Sequence, residues 1–307
     1  YAQKIKKNFK NLLLNKYNFF SFKIIYKKEI KIKNKKSSAI NGPATKAKGI
    51  NPIKYTEIFF NIEFCLSLYI TIFIQMTKLY CDTSNLKDIK FCLKKYNIDG
   101  VTTNPSIMRK EGVKNYKSQC KKILKVIKNK PLSVEVFADR DKEIINQAVL
   151  ISKWSKSIYV KVPVINTKGR FLKNVINTLN KKNIKLNITA VFTIPQLINI
   201  KKVINKKTPV IISIFSGRIA DSGVDPLPII IESKKMFKKF KNVKVLWASV
   251  REVYNFYQAK KAKCDIITVP PSLIQKIKQK KASLNDYSRI TVKQFFDDGK
   301  RSRFKLE

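Results

Sequence analysis

Ile158-Tyr159-Val160-Lys161-Val162-Pro163-Val164 decides the fold. A run rich in β-branched residues, with a single charge, reads as a strand buried on both faces. Such strands belong to parallel sheets covered by helices, so helical segments should separate it from its neighbours. The rest of the chain follows that rule. Short apolar strands are expected at 79–82, 100–104, 132–138, 158–162, 185–192, 210–215, 243–247 and 265–269. Each gap between them holds a helix-period segment, such as 141–154, 169–182, or 85–95 with Ser84 as its N-cap. Eight strand–helix units in about 200 residues predict an α/β fold, a (β/α)8 TIM barrel with eight parallel strands. The competing architecture is an open doubly wound sheet, which wants a glycine-rich phosphate loop after its first strand. The first turn here is Asp82-Thr83-Ser84-Asn85 and has no glycine.

Outside that frame the pattern fades. Residues 1–75 are basic and weakly patterned and are expected to be an extension, disordered or not native to the mature protein. The apolar run at 64–74, about eleven residues, is too short to span a bilayer and leaves a targeting segment as the other reading. Met76 opens Met76-Thr77-Lys78-Leu79-Tyr80-Cys81-Asp82, which looks like the start of a cytosolic enzyme. The barrel is placed at 76–280 and a basic helical tail at 281–307.

Composition excludes several kinds of chemistry. The 307 residues contain no histidine, which removes histidine triads, histidine general bases and most zinc sites. Cys65, Cys81, Cys92, Cys120 and Cys264 show no CxxC spacing and read as buried thiols in a reducing, cytoplasmic compartment. The net charge of +45 invites a nucleic-acid reading. However, lysine is spread along the whole chain among isoleucine and asparagine, with arginine scarce, as in a general compositional bias. No specific nucleic acid and no membrane are expected as partners, and the basic field should attract phosphorylated substrates.

In a parallel barrel the chemistry gathers at the C-terminal ends of the strands. Those ends carry Asp82, then Thr102-Thr103-Asn104-Pro105-Ser106, then Glu135, Lys161, Asn187 with Thr189, Ser213 to Arg218, and Ser249-Val250-Arg251. Seven strands of eight thus place a polar group where packing wants an apolar one. Lys161 has two readings at this point. Burial disfavours a charged amine, and a neutral lysine attacks carbonyls to form a Schiff base. Alternatively it is a structural partner for Glu135, which needs one if buried. Asp82 could be a helix cap and the Thr-Thr-Asn-Pro stretch a turn.

These segments resemble the transaldolase family, which includes fructose-6-phosphate aldolase. The resemblance rests on Asp82-Thr83-Ser84, Gly100-Val101-Thr102-Thr103-Asn104-Pro105-Ser106, Lys161-Val162-Pro163-Val164, Asn187-Ile188-Thr189-Ala190-Val191-Phe192-Thr193 and Ser213-Ile214-Phe215-Ser216-Gly217-Arg218-Ile219. It covers about residues 77–280. It implies a class I Schiff-base mechanism with no metal and no cofactor. Lys161 would form the Schiff base, and Asp82 would move the proton during C–C cleavage. Glu135 and Thr189 would position the water that relays protons. Asn104 and Asn187 would hold hydroxyls of the dihydroxyacetone unit, with Thr102 lining the pocket. Ser213, Arg218 and Arg251 would take the phosphate, with Phe215 and Ser249 beside them.

Glu135 and Phe215 resemble transaldolase, where the aldolase branch has Gln and Tyr. The expected reaction therefore moves a dihydroxyacetone unit from sedoheptulose 7-phosphate to glyceraldehyde 3-phosphate, giving erythrose 4-phosphate and fructose 6-phosphate. The enzyme alternatives are a fructose-6-phosphate aldolase or a related enzyme acting on another sugar. Ile214, where a proline is common, and Val250, where an aromatic is common, depart from the family pattern. The alternative outside enzymes is a basic nucleic-acid-binding protein with an inactive barrel. A homo-oligomer is expected by analogy, with the helical tail as its mediator.

Overall fold

The computed structural model describes residues 77–279 and 282–307. The extension expected at 1–75 and the start at Met76 lie outside the described residues, as do positions 280 and 281 at the foot of the tail.

Eight parallel strands close in sequence order: β1 (Lys78–Asp82), β2 (Gly100–Thr102), β3 (Leu132–Glu135), β4 (Ile158–Pro163), β5 (Leu186–Val191), β6 (Val210–Ile214), β7 (Val243–Trp247) and β8 (Ile266–Val269). β1 pairs with β8, which completes the barrel. Ten helices lie between and after the strands. They are α1 (Leu86–Tyr96), α2 (Pro105–Lys110), α3 (Tyr116–Ile127), α4 (Asp141–Ser152), α5 (Lys173–Lys181), α6 (Ile194–Val203), α7 (Ser216–Asp221), α8 (Leu227–Met236), α9 (Tyr254–Lys261) and α10 (Pro271–Lys278). An eleventh, α11 (Leu284–Ser302), forms the tail, opens on a Ser283–Asp286 capping box and has no buried residue.

Two apolar layers follow from strand alternation. Outward-facing Val160, Val162, Ile188, Ile212 and Trp247 join helix residues such as Ile89, Ile123 and Ile144 in one large core. A smaller cluster of Tyr80, Ile211, Leu246, Ala248 and Ile266, with Tyr159 and Phe215 against it, fills the cylinder. Tyr80 stands opposite Gly100 in register, and a Cβ at Gly100 would lie 2.7 Å from the tyrosine ring. Only glycine leaves room for that ring.

β2, β3, β5 and β6 end earlier than the apolar runs suggested, while β4 runs one residue further, to Pro163. β3 stops at Glu135 rather than continuing to 138, and β2 stops at Thr102. The reason is local: Asn104 leaves the ladder to cap α2, its Oδ1 accepting from the Ile107 amide at 2.8 Å. The cap of α1 is also corrected. Asn85 accepts from the Lys87 and Asp88 amides, while Ser84 is drawn off to Glu111.

Among the described residues no helix is long and apolar enough to cross a membrane.

Candidate active site

Register brings the polar strand residues to one level. Asp82 stands opposite Thr102, Glu135 opposite Lys161, and Lys161 opposite Asn187. Above the interior cluster Asp82, Thr102, Lys161 and Asn187 line a cavity at the C-terminal mouth of the barrel, with Glu135 behind Lys161.

Lys161 rises from β4 into this cavity and is 6% exposed. Its ammonium donates to the Thr103 carbonyl at 3.1 Å and lies 3.1 Å from Glu135 Oε2. The two readings of this lysine therefore merge: it faces the cavity and also holds a carboxylate partner. Glu135 reaches the cavity only through that contact. Its main chain is fixed by Tyr116, whose hydroxyl donates to the Glu135 carbonyl at 2.8 Å and accepts from its amide at 3.2 Å.

Asp82 lines the opposite wall and accepts from the Thr102 hydroxyl at 2.6 Å. Burial pushes its carboxyl above the usual aspartate range; Lys161 and the Thr102 hydroxyl oppose this, while Glu135 and Glu111 reinforce it. The Thr102 hydroxyl also meets that of Thr268. Thus β8, which showed no polar residue at its end in the sequence reading, contributes one as well.

Thr189 is buried at the cavity, and its hydroxyl has no hydrogen-bond partner. A buried hydroxyl left unpaired in this way is a natural seat for a water or a substrate oxygen. An irregularity follows directly after Thr189. β5 slips register between Ile188 and Val191, with Ala190 at φ 54°.

Other expected residues are placed differently from one another. Asn187 has both amide ends engaged, donating to Ser133 at 3.0 Å and accepting from Ser213 at 2.6 Å. Asn104 lines the cavity, but its carbonyl oxygen caps α2, so its amide nitrogen is the end available to a ligand. Phe215 packs on Phe192, and the Arg218 guanidinium sits 5.5 Å from the Phe215 ring centre. Both Phe215 and Arg218 line the cavity. Ser249 lines it with φ 62°, and a Cβ on Gly217 would fall 1.6 Å from the Ser249 carbonyl oxygen. Only glycine permits that approach of the β6 and β7 turns.

Arg251 is not brought to the cavity. Its guanidinium forks onto Asp221, with contacts of 3.0 Å from Nε and 2.5 Å from Nη2 to Oδ2. The pair holds Asp221 below the usual carboxylate range. Sequence spacing put Arg251 at a strand end; the direction of its side chain depends on a residue 30 positions away.

Sequence reasoning missed Glu111, Tyr116, Ser133 and Thr268. Ser133 and Thr268 were visible by the signal that found Glu135, a polar side chain inside an apolar strand. Glu111 and Tyr116 lie on and after helices and carry no such mark.

Comparison with known proteins gives the family. Residues 79–306 match the family model described as Transaldolase/Fructose-6-phosphate aldolase. A protein of Dehalococcoides mccartyi named "Probable transaldolase" is 30% identical over 203 residues, covering 66% of this chain and 90% of its own. One of the same name from Caldicellulosiruptor saccharolyticus is 31% identical over 223 residues, covering 72% and 96%. Listeria monocytogenes has a "Probable transaldolase 2", 31% identical over 201 residues, covering 65% and 88%. These likenesses make the chain an enzyme of the aldolase and transferase kind. With its eight-stranded barrel and a match running over most of its length, the chain belongs to the transaldolase/fructose-6-phosphate aldolase family.

Proposed function

We propose that the chain is a cytoplasmic transaldolase that moves a dihydroxyacetone unit between sugar phosphates through a Schiff base on Lys161. The supporting observation is the placement of Lys161 Nζ, buried at the cavity and 3.1 Å from the Glu135 carboxylate. An ammonium is no nucleophile, so it needs a proton acceptor within reach, and Glu135 supplies one.

The steps balance as follows. The deprotonated amine adds to the ketone carbon of the donor sugar, and the carbinolamine loses water to give an iminium. Glu135 and a water seated at the unpaired Thr189 hydroxyl carry the protons of that dehydration. Asp82 takes the proton from the hydroxyl beside the scissile bond; the C–C bond breaks, an aldehyde leaves, and the electron pair is held as an enamine on Lys161. The enamine carbon then attacks the acceptor aldehyde, Asp82 returns the proton, and water hydrolyses the new iminium. Arg218 receives the phosphate, its planar fork matching the anion while its guanidinium lies over the Phe215 ring. In this reading Arg251 acts at a distance, by holding Asp221.

Transfer is favoured over release of free dihydroxyacetone because Phe215 offers no hydroxyl to protonate the enamine. Donor and acceptor are sedoheptulose 7-phosphate and glyceraldehyde 3-phosphate in this proposal. A reducing compartment suits Cys81, Cys92, Cys120 and Cys264, all buried and free. The test is borohydride reduction in the presence of fructose 6-phosphate, followed by peptide mapping. A dihydroxyacetone adduct on the peptide carrying Lys161 is expected. No adduct, or one on another lysine, overturns the mechanism.

A further inference from the structure

The turn that carries Asp82 is held from outside the cavity by a single carboxylate. Glu111 follows α2, and its Oε1 accepts from the Thr83 hydroxyl at 2.7 Å. Its Oε2 accepts from the Ser84 amide at 3.0 Å and from the Ser84 hydroxyl. Gln119 of α3 completes the grip, donating from its amide to the Ser84 carbonyl at 2.6 Å. Every polar group of the two residues that follow Asp82, apart from the Thr83 main chain, is thus tied to Glu111 or to Gln119 of α3. The Thr83 amide donates to the Thr102 carbonyl at 3.1 Å and so joins the turn to β2. An ionised carboxylate with three donors is a stiff anchor, since hydrogen bonds to a charged acceptor are stronger than neutral ones.

We propose that Glu111 is a positioning residue for Asp82, fixing the turn that aims its carboxyl and supplying a negative charge behind it. Glu111 itself does not line the cavity. The inference rests on the assignment of Asp82 as the proton-transfer group in C–C cleavage. The charged groups around Asp82 are Lys161 from β4, Glu135 from β3, Arg218 from α7 across the cavity, and Glu111 behind the turn. Glu111 and Glu135 both favour the protonated form of Asp82, and Lys161 opposes them. Removing the Glu111 charge therefore lets Asp82 ionise at lower pH. Loosening the turn adds a second effect, because small displacements of a proton-transfer group slow the step it serves.

Two variants separate these effects. Glu111→Gln keeps the size and removes the charge; Thr83→Val keeps the charge and removes one strap. With fructose 6-phosphate as donor and erythrose 4-phosphate as acceptor, Glu111→Gln should lower kcat roughly tenfold with little change in KM. The acidic limb of its kcat profile should move to lower pH. Thr83→Val should lower kcat less and leave that limb in place. Borohydride trapping should still modify Lys161 in both variants, because the iminium with intact fructose 6-phosphate forms before the step that uses Asp82. A Glu111→Gln enzyme with the parent kcat and the parent pH profile overturns the proposal, as does a loss of kcat with no movement of the limb. Absence of the lysine adduct in the parent enzyme is a different result: it overturns the Schiff-base mechanism on which the inference stands.

Discussion

Carboxylates occupy both ends of the barrel, and their partners differ. At the N-terminal end Asp99 accepts from the Leu79 amide at 2.9 Å. Asp265 accepts from the Val245 amide at 2.8 Å and pairs with Lys234 at 2.6 Å. Each ties a loop to the start of a neighbouring strand. At the C-terminal end Asp82 and Glu135 are given to a hydroxyl, a lysine and the cavity instead. The same functional group is structural where it satisfies main-chain amides and chemical where it is left facing side chains and open space. This matches the division of labour in such barrels, with stability at one face and chemistry at the other.

The comparison breaks if a change at the mouth unfolds the protein or a change at the base abolishes turnover. Lys161→Met gives the largest effect. It should leave no measurable transfer and no borohydride adduct, while far-UV circular dichroism and a cooperative melt are retained. An active Lys161→Met enzyme would falsify the Schiff-base assignment.

Asp82→Asn comes next, with turnover expected to fall roughly 10²- to 10⁴-fold while the lysine adduct still forms. The stability effect runs the opposite way. Burial holds the Asp82 carboxyl above its ordinary range, so its favourable contribution is complete below that range and is lost as pH rises through the raised value. Asparagine mimics the protonated acid. The variant should therefore melt higher than the parent at neutral pH, with the two curves converging as the medium is acidified. A variant that melts lower at neutral pH would show that the contact with Lys161 outweighs burial.

At the other end, Asp265→Ala strands the Val245 amide and removes the partner of Lys234. A loss of about 1–3 kcal/mol is expected, read as a lower Tm, with the turnover of each folded molecule unchanged. The sharpest test of the branch is Glu135→Gln, which also removes the proton acceptor beside Lys161 and should slow Schiff-base formation. It should shift product partition toward free dihydroxyacetone; the ratio of transfer to release, measured with and without acceptor aldehyde, reports it. An unchanged ratio removes Glu135 from the choice between the two reactions.

The barrel was legible in the sequence because its signal is local. Alternating short apolar strands and helical segments can be read within windows of ten residues, and every expected strand exists. Strand ends were less legible, because a residue such as Asn104 has to choose between continuing a ladder and capping a helix, and the helix decides. Site residues were found where an apolar strand was interrupted, as at Glu135 and Lys161. They were missed where the partner is distant: Glu111 meets Thr83 and Ser84 across 28 and 27 positions. Arg251 shows the converse error, since its place at the end of β7 was right while its guanidinium had a nearer anion.

The slip in β5 has a consequence for the course of that strand. Asn187 and Thr189 point inward as ordinary alternation requires, and Val191 would point inward next. The extra residue at Ala190 resets the phase, so Val191 returns to the outer core beside Ile188. A single insertion therefore lets β5 offer two consecutive inward polar positions without admitting a third, apolar one to the reaction chamber. Deleting that one alanine would restore plain alternation and leave Val191 on the outer face. What the deletion would remove is the bulge itself, and with it the local bend and extra twist that such an insertion gives a strand.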